Sequence, residues 1–455
     1  MKAEQIMTRL QNHGFECYKV GGVVRDYLLG VENLDVDLAT SASANLVVEI
    51  FADAKVQTVG KQFGVVLIDD IEVATFRGER YDTPGKPLIH GVGSFEEDAS
   101  RRDFTINAMA MDLEGRILDP YGGKADLEQK LIRTVGNPVL RFTEDPVRII
   151  RGIGFAVRFG FSLEAETQNA MSKHKELLTS VPKIRIGKEL QKMCKANCLS
   201  SGLRLIEKLG LLQIIIPQMG HLPKAEQNPK YHHLNAWEHS LAVLAFTERL
   251  VSTHQTEELK LAALFHDCAK GLPGIRAYHE KSKLPSDHGH DEKSTALADE
   301  VMTEWAISKP VKRSALFLIR HHMLLPRSTN VHDLIGFLND LANDFFKIEE
   351  LHSHLSKLYW LKRADIYGKA LSNRESDVDH LNEIWKLLEY MIDTVPFYRN
   401  QTRIQAKDFT ETGEALGLRL HQSLLEEQER ITKTSQWFEH FEQAKKENLK
   451  HDLDQ

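Results

Sequence analysis

The spacing of hydrophobic positions changes about a third of the way along the chain. Short apolar runs typical of strands occupy the first part, at residues 65–68, 71–76, 108–113 and 116–118. From about residue 140 this pattern nearly vanishes, and apolar residues recur at the three- and four-residue spacing of amphipathic helices. The pattern therefore predicts an α/β head, built from a mixed sheet with helices, followed by an all-helical remainder.

The length of the chain, 455 residues, indicates more than one domain, because a single hydrophobic core stops growing at roughly 250 to 300 residues. Loops that interrupt the helical pattern suggest where the divisions fall. We predict an α/β head at 1–138, a helical neck at 139–222, a second helical domain at 223–395 and a helical tail at 396–455.

Composition narrows the classes of protein to consider. Hydrophobic residues make up 42% and charged residues 27% of the chain, and no apolar stretch approaches the roughly 20 residues of a membrane helix. The net charge of −7 excludes a generally basic protein that coats nucleic acid, although a local positive surface is compatible with it. Four scattered cysteines favour a reducing compartment, and the N-terminal pattern is not that of a signal peptide. We therefore expect a cytoplasmic protein with no membrane partner.

A glycine pair, Gly21 and Gly22, follows an apolar stretch and precedes a helical pattern. The backbone amides of such a turn, with the N-terminus of the next helix, can bind an anion, and Arg25 adds a positive charge. Gly22 and Arg25 are therefore candidates for binding the triphosphate of a nucleotide. The alternative is an ordinary turn, which is what most Gly-Gly pairs form.

Two carboxylates, Asp35 and Asp37, alternate with Leu34, Val36 and Leu38. Residues two apart on a strand point to the same face, so we predict a strand here with the two carboxylates side by side. Hard oxygen ligands this close suit Mg²⁺, which would neutralise their mutual repulsion and bridge to nucleotide phosphates. A solvated strand edge is the alternative.

Four motifs occur in an order that matches one family. They are GGVVRDYLLG followed by DVD, RRDFTINAMA at 101–110, DPYGG at 119–123 and EDPVRIIR at 144–151. Together they resemble class II of the tRNA nucleotidyltransferase/poly(A) polymerase family, and the resemblance extends through the helical neck to about residue 215. It implies a nucleotidyltransferase head that adds nucleotides to an RNA 3′ end without a nucleic-acid template.

The second motif carries groups suited to a nucleotide. The adjacent Arg101 and Arg102 can clamp phosphate or ribose, and Asp103 and Asn107 can hydrogen-bond to a ribose hydroxyl. A buried structural pairing of an arginine with Asp103 is the alternative. The resemblance implies that these four residues contact the incoming nucleotide.

The fourth motif is the one with which the family selects the base. Its relatives use the Asp and Arg of EDxxR to recognise Watson–Crick edges, and the match transfers this role to Asp145 and Arg148, which would select C or A. Arg151 follows three residues on and is a further nucleotide-binding candidate, whereas Gly154 stands where many relatives have another arginine. Thr143 is predicted to cap the helix that carries these residues, and a simple capped helix is the alternative.

The implied reaction is two-metal phosphoryl transfer. Asp35 and Asp37 would be the catalytic residues and would hold two Mg²⁺ ions, which activate the 3′-hydroxyl of tRNA for in-line displacement of pyrophosphate. Glu72, in the strand pattern IEVATF, is a further candidate carboxylate. An alternating strand also commonly exposes one acidic residue to solvent, which is the alternative for Glu72.

The neck contains a local positive segment in an otherwise acidic protein. Residues 183–208 hold seven basic side chains against two acidic ones. Such a surface can follow the phosphates of the tRNA acceptor end without reading its sequence, and a solvated helix face is the alternative. The predicted tRNA-binding residues are Lys183, Arg185, Lys188, Lys192 and Lys195.

The second helical domain carries a different set of polar residues. His239, the pair His266 and Asp267, and Asp365 each lie within an apolar helical pattern, where an isolated polar group is costly unless it is paired or metal-bound. Their order resembles the HD phosphohydrolase superfamily, which implies an HD domain at 223–395 with a divalent metal. Further candidates for a second metal or for phosphate are His290, His321 and His322.

The segment between Arg77 and Arg101 bears on which bases are added. In the family this region includes a flexible loop that helps the enzyme change from C to A, and CC-adding relatives carry a shortened version. The segment here is slightly short and contains two prolines, which favours CC addition from CTP. Full CCA addition with ATP and A addition alone stay open. So do a poly(A) polymerase, an HD phosphohydrolase with a degenerate head, and a non-catalytic RNA-binding module.

Overall fold

The computed structural model describes nine stretches of the chain: 1–32, 35–58, 64–83, 86–90, 93–254, 256–342, 349–369, 374–394 and 441–443. The chain divides into two compact units, Met1–Pro217 and Gln218–Gln455. The segment that bears on base choice falls partly outside the described residues, as does nearly all of the predicted tail at 396–455. The predicted domain bounds at 138, 222 and 395 stay predictions.

The first unit begins with a mixed β-sheet. Its strands, together with two short pairs beside it, are β1 Cys17–Val20, β2 Leu38–Thr40, β3 Val56–Thr58, β4 Val65–Ile68, β5 Ile71–Thr75, β6 Gly78–Thr83, β7 Lys86–His90, β8 Ala110–Met111, β9 Ile117–Leu118, β10 Leu131–Ile132 and β11 Ser162–Leu163. Within the described residues the sheet has seven strands in the order β3-β4-β5-β2-β1-β8-β9.

The centre of this sheet contains its one described parallel pairing. Strands β2 and β5 run parallel, with Leu38 opposite Val73, whereas the other pairs of the sheet are antiparallel. One core includes Ile6, Met7 and Leu10 of the first helix, and a second core includes Phe76 and Phe95. Both faces of the sheet are therefore covered by apolar side chains.

The helices of the first unit surround the sheet and then form the neck. They are α1 Ala3–Asn12, α2 Gly22–Leu28, α3 Ala44–Ile50, α4 Phe95–Ser100, α5 Gly123–Glu128, α6 Pro138–Glu144, α7 Val147–Phe159, α8 Ala165–Lys173, α9 Lys183–Lys195, α10 Leu199–Lys208 and α11 Leu212–Ile215. Short 3₁₀ helices lie at Thr105–Asn107 and Lys175–Ser180.

The EDxxR motif lies at a junction between two helices rather than at a capped start. Helix α6 begins after Asn137, whose side chain accepts hydrogen bonds from the amides of Val139 (2.9 Å) and Leu140 (3.3 Å). Thr143 is inside α6 and its hydroxyl donates to the carbonyl of Val139, so the predicted cap at Thr143 is wrong. Asp145, in an extended conformation, separates α6 from α7.

The second unit is mainly helical. Its elements are α12 Ala236–Glu248, α13 Glu257–Phe265, the hairpin β12 Arg276–Tyr278 with β13 Pro285–Asp287, α14 His290–Glu304, α15 Lys309–His321, α16 Val331–Ala342, α17 Glu349–Gly368 and α18 Arg374–Thr394. Helix α12 is largely buried, and Gly368 lets α17 approach it closely: a Cβ there would lie 2.6 Å from Val243 and 3.2 Å from His239.

The predicted fold class is confirmed: a mixed sheet with helices is followed by a helical neck and a helical second unit. Within the described residues, the short strand β11 and the small hairpin in the second unit depart from an all-helical remainder. None of the helices in the described part of the chain combines the length and the apolar character that a bilayer crossing requires.

Candidate active site and candidate metal centre

A cavity of about 1020 Å³ in the first unit gathers the predicted nucleotide-binding residues. Its lining is strongly basic, with eleven arginines and lysines against four carboxylates, so the cavity has the charge expected for binding a polyphosphate. All nine predicted residues line it: Gly22, Arg25, Arg101, Arg102, Asp103, Asn107, Asp145, Arg148 and Arg151.

The glycine pair forms the turn from β1 into α2. Gly21 has φ +71°, a conformation that other residues rarely adopt, and a Cβ there would lie 3.2 Å from the guanidinium of Arg102. Gly22 is the first residue of α2. At this turn the backbone itself lines the cavity. A side chain at Gly21 would crowd Arg102.

Arg25 is buried on α2 and its partners fix its guanidinium. Nη1 donates to Oδ1 of Asn107 at 2.7 Å, and Nη2 lies 2.7 Å from Asp26. The guanidinium also lies over the rings of Phe155 and Phe159. Burial lowers the pKa of Arg25, and the charge of Asp26 opposes this effect.

One buried carboxylate orients the two adjacent arginines. Asp98 accepts from Nε of Arg101 at 3.0 Å through one oxygen, and from Nη2 of Arg102 at 3.0 Å through the other. Arg102 also donates to the backbone carbonyl of Asn107. Asp98 lies on α4, which begins with a capping box between Ser94 and Glu97.

Asp103 links the second motif to helix α7. Its carboxylate accepts from the side-chain amide of Asn107 at 3.1 Å, and Nε of Arg151 lies 2.6 Å from it. The pairing of Asp103 with an arginine, considered as an alternative in the sequence, is thus present in the structure. This ion pair holds Asp103 and Arg151, which both line the cavity, in position.

The two candidate base-selecting residues are each fixed by a neighbour. Asp145 is paired with Arg185 of α9, with 2.7 Å between the charged atoms. Arg148 contacts Glu144 at 2.9 Å and donates to the carbonyl of Arg101 at 2.8 Å. Both side chains are therefore held in place by neighbouring residues, as selection of a ligand by shape and hydrogen bonding would require.

The carboxylates predicted to bind metal lie just before the central strand β2. Asp35 and Asp37 precede β2 rather than lying on a strand, so the predicted strand is wrong in its extent. The carbonyl of Asp37 nevertheless accepts a hydrogen bond from Val20 at 3.0 Å. Because β2 and β5 pair in parallel with Leu38 opposite Val73, the preceding residues Asp37 and Glu72 are neighbours in register.

The charge at this position favours a cation. Burial and the charges of Glu72 and Asp35 raise the pKa of Asp37 to about 6. Mutual repulsion of this kind is relieved when a divalent ion binds, and three carboxylates supply the oxygen ligands that hard cations prefer. The donor set therefore fits a divalent metal ion.

Most of the predicted tRNA-binding residues also line the cavity. Arg185, Lys188, Lys192 and Lys195 lie along α9 at the cavity wall. Lys183 does not line the cavity, and its ammonium group donates to the carbonyl of Ile214 at 2.8 Å. The structure therefore separates Lys183 from the other four.

Three important groups of the site were not predicted from the sequence. Asp98 precedes Arg101 and Arg102 by three and four residues, so helical spacing could have identified it. Arg77 and Arg158 also line the cavity, but a single arginine near the end of an element carries no signal in the sequence.

In the second unit the four predicted HD residues converge. Nε2 of His239 lies 3.3 Å from Nε2 of His266, 3.4 Å from Oδ2 of Asp267 and 3.0 Å from Oδ1 of Asp365. The residues come from α12, from the end of α13 and from α17. The positions predicted from the motif are thus brought to one point in the interior.

A second set of ligand atoms lies on the other side of Asp267. Its Oδ1 is 3.1 Å from Nε2 of His290 and 3.6 Å from Nε2 of His322, and these two nitrogens are 3.3 Å apart. Asp267 thus faces both sets, which could hold two metal ions with a shared carboxylate. His321, the other candidate, instead packs against Phe317.

Three of the four histidines at this centre have the tautomer that metal binding requires. Nδ1 of His266, His290 and His322 lies 2.6 to 2.9 Å from a backbone carbonyl, which can only accept, so Nδ1 carries the proton. Each Nε2 is then a bare lone pair directed at the centre, as in protein metal sites. The donor set fits a divalent transition metal.

The charges around this centre favour the binding of a cation. Burial would lower the pKa of His239, but its hydrogen bonds to Asp267 and Asp365 outweigh that effect and raise it to about 9. Lys270 lies 2.7 Å from Asp267, and Lys369 lies 3.1 Å from Asp365. The two carboxylates therefore create a negative potential. In this structure the proton on His239 and the ammonium groups of the two lysines offset it.

Comparison with known families agrees with this organisation. A "Poly A polymerase head domain" model matches residues 17–133, a "Probable RNA and SrmB- binding site of polymerase A" model matches residues 160–222, and an "HD domain" model matches residues 236–372. These matches define a protein built on a poly A polymerase head with an RNA-binding segment and an HD domain.

Individual relatives are consistent with the domain matches. The chain is 42% identical over 207 residues to the CCA-adding enzyme of Bacillus pumilus (strain SAFR-032), which is 44% of this chain and 51% of that one. It is 41% identical over 218 residues to the CCA-adding enzyme of Geobacillus sp. (strain WCH70), covering 46% and 53%. The chain is therefore similar to CCA-adding enzymes over nearly half of its length, and it carries the head, RNA-binding and HD segments that the three domain models describe. The match spans about half the length of these curated relatives.

Solved structures share the fold over more of the chain. The Bacillus stearothermophilus CCA-adding enzyme in complex with CTP has a TM-score of 0.61 at 23% identity and covers 100% of both chains. A tRNA nucleotidyltransferase complexed with a primer tRNA and an incoming ATP analog has a TM-score of 0.54 at 24% identity, over 83% of this chain and 99% of that one. At these identities the comparison supports the architecture of the chain.

Proposed function

We propose that the protein is a tRNA 3′-terminal nucleotidyltransferase that adds C residues from CTP without a nucleic-acid template. The observation that carries the proposal is the basic cavity, which joins the glycine turn, the two arginines of the second motif and the pair Asp145 and Arg148. The relatives named CCA-adding enzymes and the family of the head domain support the same reaction.

The phosphates are proposed to lie at the glycine turn. Backbone amides at the start of α2 and the guanidiniums of Arg25, Arg101 and Arg102 would hold the negative charge of the triphosphate. Asp103 and Asn107 would accept or donate hydrogen bonds to the ribose. Their mutual contacts fix these groups in advance, which lowers the entropic cost of ordering the substrate.

Asp35 and Asp37, with Glu72 beside them, would hold the divalent metal, for which we propose Mg²⁺. The metal, when bound, supplies the positive charge that activates the 3′-hydroxyl and stabilises the transferring phosphate. The protein's own contribution is to hold Asp37, which lines the cavity, beside Glu72 where β2 and β5 begin. Asp35 and Glu72 are not among the residues that line the cavity.

The base would be chosen by Asp145 and Arg148. An ionised carboxylate accepts and a guanidinium donates, so the pair can match the polar edge of cytosine or of adenine. Arg185 and Glu144 hold these two side chains in place. Arg185 would thus support base selection, while Lys188, Lys192 and Lys195 provide charge for the acceptor end of tRNA.

The proposed activity also includes a choice of which bases are added to the tRNA. The short segment between Arg77 and Arg101 favours CC addition. Full CCA addition, supported by the names of the relatives, is the alternative, and A addition alone is a third outcome.

A primer-extension assay tests the function and the bases together. The full chain is incubated with Mg²⁺ and tRNA transcripts that end before CCA, after C or after CC, with CTP alone, ATP alone or both. Addition of two nucleotides with CTP, and none with ATP on the transcript ending in CC, is the expected result. Long A tracts would indicate a poly(A) polymerase, and no incorporation under any condition would overturn the proposal.

A second proposed activity belongs to the HD domain. The two sets of ligand atoms around Asp267 would hold a divalent metal and could hydrolyse phosphate esters. Full-length protein loaded with Mn²⁺, Ni²⁺ or Mg²⁺ is tested on a phosphate monoester and on a 2′,3′-cyclic phosphate. Release of phosphate or ring opening that is lost in His266→Ala would support it, whereas metal binding without turnover would restrict the domain to a structural role.

A further inference from the structure

One face of α7 lines the cavity along its whole length. The side chains on this face follow the helical repeat, from Arg148 through Arg151, Gly154 and Phe155 to Arg158. The face starts beside the base-selecting pair and ends at Arg158, near the last turn of the helix. The helix thus presents positive charge near both ends of the face that lines the cavity.

Most arginines of the cavity are neutralised by a carboxylate. Arg148 pairs with Glu144, Arg151 with Asp103 and Arg185 with Asp145, at 2.6 to 2.9 Å. The same is true of Arg25, Arg101 and Arg102. These pairs position the guanidiniums, but the carboxylates also cancel part of the charge that a phosphate would encounter.

Arg158 differs from these arginines. Among the residues that the structure describes, no carboxylate lies within ion-pair distance of it, and the side chain is exposed to the cavity. Its guanidinium lies 5.5 Å from the ring centre of Phe159. It is therefore a cation whose charge is not cancelled, held in place by contact with an aromatic ring.

The same ring places Arg158 at the phosphate end of the cavity. The guanidinium of Arg25 lies 4.8 Å from the centre of the Phe159 ring. Two guanidiniums thus share one aromatic ring, and Arg25 belongs to α2, the helix that begins at the glycine turn. The charge of Arg158 is one of the causes, after burial, that lower the pKa of Arg25, which reflects how close the two cations are.

We propose that Arg158 binds the β- or γ-phosphate of the incoming nucleoside triphosphate, and so completes the phosphate site formed by the glycine turn and Arg25. The inference rests on the proposed function and adds to it a residue that positions the substrate. A polyphosphate that contacts both Arg25 and Arg158 would offset their mutual repulsion and accept charge-assisted hydrogen bonds from the two guanidiniums. This gain is available to a polyphosphate at the glycine turn.

The alternative anion is a phosphodiester of the tRNA. The cations suited to that role lie on α9, where Lys188 and Lys195 point into the cavity from the neck. Arg158 is grouped instead with Phe159 and Arg25. The triphosphate is therefore the ligand that the positions favour, and a tRNA contact is an outcome that the experiment can detect.

The first test separates the two substrates kinetically. Arg158→Ala in the full chain should raise the KM for CTP about tenfold, the loss expected for one charge-assisted bond, with kcat and the KM for tRNA changed less than about twofold. The control is Lys173→Ala, an exposed lysine of α8 outside the cavity, which should behave as the unaltered protein. A rise in the KM for tRNA with an unchanged KM for CTP would overturn the inference.

The second test does not depend on nucleotide addition. Binding of inorganic pyrophosphate in the presence of Mg²⁺ is measured by calorimetry, and Arg158→Ala should weaken it about tenfold, with Arg158→Lys in between. An unchanged affinity would contradict the proposal. If the unaltered protein binds pyrophosphate through Arg158 but incorporates no nucleotide, the proposed function fails while this site stands.

A relocated charge gives a rescue experiment. Gly154 lies one turn before Arg158 on the same face, and a Cβ there would meet Met193 at an ordinary 3.4 Å. The double variant Gly154→Arg with Arg158→Ala should recover most of the lost pyrophosphate affinity, because the cavity regains a guanidinium that is not paired with a carboxylate. A purely structural role of Arg158 predicts no recovery.

Discussion

Asp98 orients two arginines through a single carboxylate. Burial by itself would raise the pKa of Asp98, but the charges of Arg101 and Arg102 outweigh it and hold the pKa below its usual value. Such a group stabilises the fold above its unfolded pKa of about 3.9 and loses this contribution as the pH falls through the folded value. We expect Asp98→Asn to lower the free energy of unfolding at pH 7 by about 2 kcal/mol.

The pH series is the discriminating measurement for Asp98. Urea unfolding of the variant and the unaltered protein should differ most at neutral pH. The difference should narrow as the pH falls below the unfolded pKa of about 3.9 and disappear below the lowered folded pKa, where Asp98 is protonated in both states of the chain. Glu128→Gln, an exposed change on α5, serves as the control. A difference that is constant with pH would show that the ion pairs contribute nothing.

The catalytic prediction concerns Asp37. Asp37→Asn keeps the size of the side chain and removes the charge that the metal site needs, so incorporation of CTP should fall by about 10³-fold, equivalent to about 4 kcal/mol. Circular dichroism should show an unchanged fold. Asp70→Asn, an exposed aspartate at the turn between β4 and β5, is the matched control. Wild-type rates in Asp37→Asn would exclude this residue as a metal ligand.

Single residues were predictable where a motif carried them. The glycine turn, the two adjacent arginines and the residues after Glu144 all line the cavity, as their sequence motifs suggested. Their partners were harder to predict, because pairs such as Asp103 with Arg151 and Asp145 with Arg185 join residues about 40 positions or more apart. Contacts of this kind follow from the fold and leave no local pattern.

Helix α6 offers a test at the level of one element. Asn137 accepts two amide hydrogen bonds at its start, whereas Thr143 bonds only within the helix. Asn137→Ala should therefore cost about 1 kcal/mol of stability, and Thr143→Ala should cost a few tenths at most. Thermal unfolding of the two variants makes the comparison. Equal losses would mean that the cap does not hold the helix.

The structure also shows why the position of this helix was mispredicted. Thr-Glu-Asp-Pro has the residue types of a capped helix start, and Pro146 does lie just before α7. The preceding segment is itself helical, however, and Asn137 followed by Pro138 is an equally good start. Local propensity could not choose between the two starts, because both are used and the chain bends at Asp145 between them.

Strand bounds show the same limit. The run at 65–68 and most of the run at 71–76 are strands in the structure. Burial alternates along both strands, and a turn separates them. The segment from Asp35 alternates equally well, yet the described ladder begins only at Leu38. Hydrogen bonding to neighbouring strands determines where β2 begins, and the sequence of that strand alone does not specify it.

At the scale of the whole molecule, each of the two units carries its own candidate site. His266→Ala with Asp267→Asn should remove the divalent metal of the HD domain, because the pair supplies ligand atoms to both sets. Elemental analysis of purified full-length protein measures the metal, and His279→Ala on the exposed hairpin is the control. CTP incorporation should stay within about twofold of the unaltered protein, since the head's ligands are untouched. Loss of incorporation in a folded variant would show that the two sites are coupled.

The neighbouring carboxylates of β2 and β5 have a consequence for the head as a whole. Asp37 and Glu72 are brought together by strand pairing, so the repulsion between them acts against the sheet itself. Any cation that binds there only in the folded state adds its binding free energy to the stability of the head, by about 2.7 kcal/mol at one hundred times its dissociation constant. Metal supply and folding are thereby linked, and a chelator should lower the melting temperature of the head as well as stop the reaction.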